Sequence, residues 1–212
     1  MPEILKVSDK NSEEIILTRA AEIVAQGGII AYPTETFYGL GADTTNEKAI
    51  QKIFAIKGRD FQNPIALIIG QTDDVSPLVQ DVPQLAQKLM AAFWPGALTI
   101  VFSAEDIVSP LLTAGSGKIG LRVSSHPGAW RIVKILKKPL TATSANLTGA
   151  PECVSASEVA LQLGDKIDAI IDLGTTPGAK GSTIIDVTST PPTILREGTI
   201  SKKAIEKCID SK

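Results

Sequence analysis

Short apolar runs alternate along the chain with stretches carrying apolar residues at helical spacing, and Gly or Pro punctuates most exchanges. A buried strand needs the first pattern, and a helix packed on a sheet needs the second. Their regular alternation predicts an α/β domain. The amino terminus reads as polar until a helical pattern begins near Asn11, which carries Ile16, Ala20, Ile23 and Val24 and stops at Gly27-Gly28. Residues 29–32 form an apolar strand closed by Pro33. Thr45-Asn46 caps a second helix with Ala49, Ile50, Ile53 and Phe54 on one face, ended by Gly58. Further strands are expected over 65–69, 97–102, 119–123, 140–143, 169–173, 183–187 and 193–195. Helices are expected over 82–93, 127–136 (with Pro127 as first residue) and 201–209, and Ser155 to Glu158 has capping-box spacing. No repeat, low-complexity tract or linker divides the sequence, so residues 1–212 read as one domain.

Composition removes several chemistries. Cys153, Cys208 and the single His126 cannot build a closed structural zinc site. Few cysteines and no cleavable leader lead to the expectation of a reducing, cytoplasmic setting. No apolar run approaches the ~20 residues of a membrane helix. With 21 Lys plus Arg against 23 Asp plus Glu, the formal net charge is −2. That excludes coating nucleic acid by bulk charge, while a local basic cleft stays open. Gly115-Ser116-Gly117-Lys118 falls short of a P-loop, with Leu112 where the first Gly belongs and Ile119 in the Ser/Thr place. No GxGxxG follows a strand. A Ser-His-Asp triad would have to use His126, which a capping or surface role beside Pro127 explains better.

Four polar groups fall at strand ends or in mid-strand. Thr34-Glu35-Thr36, with Tyr38-Gly39-Leu40-Gly41 behind it, follows a buried strand, where α/β folds hold ligands; a plain turn and loop is the alternative. Lys57 and Arg59 flank the Gly58 stop and suit a triphosphate, although Lys57 also fits a helix-end cation; Asn63-Pro64 leads into the next strand. Alternation puts Gly120, Arg122 and Ser124 on one face, either a polar cavity where Arg122 holds a carboxylate or a solvated edge strand. Thr143-Ser144-Ala145-Asn146 offers hydroxyl and amide groups for phosphate or ribose, or simple turn chemistry. Ser182-Thr183 and Arg196-Glu197-Gly198 are similar strand-end groups.

In order, GIIAYPTETFYGLGADTTNEKAIQKIFAIKGR (Gly28 to Arg59), WPGALT from Trp94, GLRVSSHP from Gly120, TSANLTG from Thr143, GSTIIDV from Gly181 and ILREGTI around Leu195 resemble the YrdC/TsaC family, the threonylcarbamoyl-AMP synthases. The resemblance spans about 28–200, and Lys57, Arg59, Ser144 and Asn146 meet its KxR…SxN signature. It implies a twisted mixed sheet with flanking helices and a concave ligand cleft. It also implies condensation of L-threonine, bicarbonate or CO2 and ATP into threonylcarbamoyl-AMP and pyrophosphate, with Mg²⁺ on the phosphates. The product would pass to separate transferase proteins that modify tRNA.

Carried over by position, Thr34, Thr36, Arg122 and Ser182 would bind threonine, with Arg122 on its carboxylate. Lys57, Arg59, Asn63, Ser144, Asn146 and Arg196 would line the ATP side, with Lys57 and Arg59 the catalytic pair. The sequence departs from many relatives at Asp60 (Pro), from some at Ile68 (His) and from the common Ser at Glu152, and it is expected to lack the extra domain and closing linker of longer members. A double-stranded RNA or tRNA-binding module of the same fold, and a synthase of another carbamoyl-adenylate, are the competing readings.

Overall fold

The computed structural model describes residues 1–7, 10–58 and 60–210, with Lys10 and Asn11 described by backbone alone. Its strands are β1 (Glu3–Lys6), β2 (Ile30–Pro33), β3 (Tyr38–Gly41), β4 (Ala66–Ile68), β5 (Leu98–Ser103), β6 (Lys118–Arg122), β7 (Leu140–Ser144), β8 (Ala169–Asp172), β9 (Thr183–Asp186) and β10 (Thr193–Arg196). The helices are α1 (Lys10–Ala25), α2 (Glu47–Lys57), α3 (Gln84–Phe93), α4 (Pro110–Thr113), α5 (Pro127–Leu136), α6 (Ala156–Leu163) and α7 (Lys202–Asp210). Local chemistry sets several ends. Asn46 accepts the Ala49 N–H, and Gly58 adopts φ +58°, where a side chain is disfavoured. His126 caps α5, its Nδ1 accepting the Gly128 N–H.

Ten strands form one mixed sheet in the order β1-β8-β2-β3-β7-β4-β6-β5-β9-β10. One face packs against α2, α3, α6 and α7 through Ile53, Phe54, Leu89, Val159 and Ile205. The other is covered only in part. There α1 and α5 pack Leu17, Val24 and Ile132 onto Ile30, Tyr32, Ile68 and Leu140.

Register follows that second face across the sheet. Ile68 pairs with Leu140 and Arg122, Ala66 with Ala142, and Gly39 with Ser144. Paired residues share a face, so Arg122, Ala66, Ala142, Gly39 and Ser144 continue the surface that α1 and α5 leave bare. Gly120 belongs to it as well, since a Cβ there would meet Thr99 and Ala66 at 3.0 and 3.2 Å. Apart from Arg122, this part of the sheet face is thus floored by small residues.

Three expectations change. The polar amino terminus contains a strand, β1, paired parallel to β8 at the sheet edge; its mostly exposed residues leave no apolar alternation to read. The Tyr38–Gly41 segment is the buried strand β3 and not a loop, because glycines are needed where it crosses the Tyr32 ring. Arg122 does not lie on a solvated edge strand, since β6 runs between β4 and β5 in the interior. Among the described residues no helix is long and apolar enough to cross a membrane.

Candidate active site

The bare half of the sheet forms a cleft of about 800 Å³, its open mouth included. Its small floor residues bring the strand backbones close to any occupant. Around that floor stand Thr34, Thr36, Arg122, Ser144, Ser182 and Arg196, six of the residues expected at the site.

The hydroxyls are oriented. Thr34 donates to the Phe37 carbonyl at 2.7 Å, so the 3.0 Å contact between the two threonine hydroxyls has Thr36 as donor. The Thr36 oxygen therefore presents acceptor lone pairs. On the opposite wall Ser182 lies 3.0 Å from Thr99 and accepts from Arg196 Nη2 at 3.1 Å, while Arg196 also donates to the Ser182 carbonyl. Burial lowers the Arg196 pKa, the Arg122 charge lowers it further, and Glu152 opposes both. Two guanidiniums thus share one partly desolvated cleft, an arrangement that an anion relieves. Arg122 is 6% exposed, and Glu35 stands behind it with Nη1 to Oε1 at 3.2 Å.

Lys57 does not line the cleft. It is buried beneath the Ser144–Asn146 turn, and its ammonium donates to the carbonyls of Ser144 and Asn146 and to Asn146 Oδ1 at 3.1 Å. Ser144 Oγ donates to the same Oδ1 at 2.6 Å, and Asn146 Nδ2 holds Ala150 O. The two halves of the KxR…SxN pattern therefore meet by direct contact. Arg59 lies outside the described residues. Asn63 is exposed beside the lining residue Pro64 and is not itself among the lining residues. Asp60 is exposed and spends one carboxylate oxygen on the Gln62 N–H. Ile68 is buried under α1 and α5, outside the cleft, and Glu152 lines it.

Sequence reasoning missed Thr99 and the contacts of Glu35. For Thr99 a signal existed, because alternation with Leu98 and Ile100 turns it to the opposite face.

Gly198 holds the Ser182 wall in place. A Cβ there would lie 2.1 Å from Gly181 O and 2.6 Å from the Ser182 carbonyl carbon. Gly198→Ala is expected to lower stability by about 3 kcal/mol through this backbone clash. Denaturant titration checks it, and an unchanged midpoint would show that the wall yields freely.

The Sua5/YciO/YrdC family model, described as telomere recombination, matches residues 22–198. The chain belongs to this family. The chain is 38% identical over 197 residues to the threonylcarbamoyl-AMP synthase of Pyrococcus abyssi, covering 93% of this chain and 58% of that protein. Against the threonylcarbamoyl-AMP synthase of Bacillus subtilis, identity is 37% over 194 residues, covering 91% and 56%. The chain thus spans somewhat over half the length of these two curated relatives. The solved structure of P. abyssi Sua5 complexed with L-threonine superposes with a TM-score of 0.93 at 35% identity, covering 99% of this chain and 61% of that one. The mixed sheet and flanking helices expected of a YrdC-like fold are therefore those of the family.

Proposed function

We propose that this domain is an L-threonylcarbamoyladenylate synthase, joining L-threonine, bicarbonate or CO2 and ATP, with release of pyrophosphate, for tRNA threonylcarbamoyladenosine modification. One observation carries the reading: Arg122 and Arg196 turn like charges into a single hydroxyl-rich cleft, which suits a carboxylate and a phosphate held side by side. Likeness to a Sua5 complexed with L-threonine supports the amino acid. In this reading Arg122 takes the threonine carboxylate, Thr36 accepts from its polar hydrogens, and Ser182 closes that side. Arg196 and Ser144 take the nucleotide, together with Arg59 and Asn63. Lys57 and Asn146 act by fixing the Ser144 turn.

The threonine amine attacks CO2, forming a C–N bond and losing a proton. A carbamate oxygen then attacks the α-phosphorus in line, and the bond to pyrophosphate breaks. Such a step needs alignment and charge neutralisation more than an activated protein nucleophile. Among the described residues no three His, Cys, Asp or Glu are grouped to hold a metal, and Glu152 is a carboxylate in the cleft lining. That donor set suits Mg²⁺ arriving on the phosphates of ATP. Transferase partners and a cytoplasmic setting belong to the same proposal.

Incubation with ATP, Mg²⁺ and bicarbonate is expected to release pyrophosphate only when L-threonine is added. Threonine-independent release would point to another carbamoyl-adenylate. No release, with tight salt-sensitive RNA binding, would favour the RNA module.

A further inference from the structure

Glu35 is a partly buried carboxylate that the proposed reaction does not use. Its side chain is 15% exposed and that of Arg122 8% exposed, so the two charges face each other largely out of water. One oxygen, Oε2, accepts from the Ser124 hydroxyl, and Ser124 Oγ in turn accepts the His126 N–H at 3.2 Å. The other, Oε1, is buried and lies 3.2 Å from Arg122 Nη1 without an aligned hydrogen bond. Ser124 therefore holds the carboxylate in place, and charge attraction draws the guanidinium to it. An arginine has five donors on a planar fork, so an anchor on one nitrogen leaves another edge for the cleft. Thr34 and Thr36, on either side of Glu35, line that cleft.

We propose that Glu35 is the positioning residue of Arg122, fixing its guanidinium so that the free edge meets the substrate carboxylate. The proposal rests on the reading of Arg122 as the carboxylate-binding residue. It differs from a packing role in one respect: the effect of Glu35 must pass through Arg122 and reach only the ligand that Arg122 binds.

The test uses Glu35→Ala, Glu35→Asp, Arg122→Ala and the Glu35→Ala/Arg122→Ala double variant, with KM measured for L-threonine and for ATP. Competition by L-threoninamide, which lacks the carboxylate charge, is measured alongside. Glu35→Ala is expected to raise the threonine KM at least tenfold and leave the ATP KM within twofold. Added to Arg122→Ala, the same substitution should change the threonine KM less than twofold. If Glu35→Ala does not fold, Glu35→Asp decides, since it keeps the charge but withdraws it by one methylene. It should raise the threonine KM alone at least threefold, and an unchanged value overturns the proposal. An undiminished Glu35→Ala effect in the Arg122→Ala background, or equal rises for both substrates, also overturns it. An Arg122→Ala variant that still prefers L-threonine to L-threoninamide would instead sink the underlying reading of Arg122.

Discussion

Replacing Arg122 by alanine is expected to raise the threonine KM about a hundredfold, or about 2.7 kcal/mol, and the ATP KM less than threefold. Part of this is the loss of charge-assisted hydrogen bonds to the substrate carboxylate. The rest comes from Glu35, which would be left as a partly buried anion held by the Ser124 hydroxyl and would repel the incoming carboxylate. Arg122→Lys should restore little, because an ammonium cannot serve a carboxylate on each side of a planar fork. Steady-state kinetics with each substrate varied in turn decide the matter, and equal effects on both would remove the carboxylate role.

Lys57→Ala should act differently, on the protein before the reaction. Lys57 is 4% exposed, and its ammonium ties the end of α2 to the Ser144–Asn146 turn, while its carbonyl accepts the Thr148 N–H just beyond that turn at 2.9 Å. Deleting it strands buried carbonyl oxygens, at a cost of about 3 kcal/mol. For a domain of this size that lowers the melting temperature by roughly 10 °C. Because Ser144 lines the cleft, turnover should fall together with stability. A melting curve beside a pyrophosphate-release assay tests both. Lost turnover at an unchanged melting temperature would give Lys57 a direct part in the chemistry, and no change in either would leave it as a helix-end cation.

What could be read from the sequence was mostly local. Asn46, Gly58 and Pro127 mark helix ends through their own backbone chemistry, and those ends lie where they were expected. Strand β1 escaped because an exposed edge strand owes its form to its pairing with β8, which leaves no trace in its side chains. In β3 the glycines read as loop, because their reason, the Tyr32 ring on the neighbouring strand, becomes visible only once strands are paired. Alternation placed Arg122 and Gly120 on one face correctly but could not say whether helices cover that face. Lys57 was legible as a helix-end cation or a phosphate ligand. That its charge would be spent on a turn 87 residues away is information about tertiary contact, absent from any local pattern.

The floor of the cleft carries a further consequence. Gly39, Ala66 and Ala142 line the cleft with little or no side chain, on a sheet whose opposite face carries a hydrophobic core. The shape of the cavity is therefore inherited from hydrogen-bonded strands and does not depend on loop order, so its walls can move while its base stays fixed. A Cβ at Gly39 would press on the buried Tyr32 ring at 3.2 Å, and one at Gly120 on Thr99 at 3.0 Å, so these two positions resist added bulk. Ala66 and Ala142, which line the cleft, are where added bulk would reshape what the domain accepts.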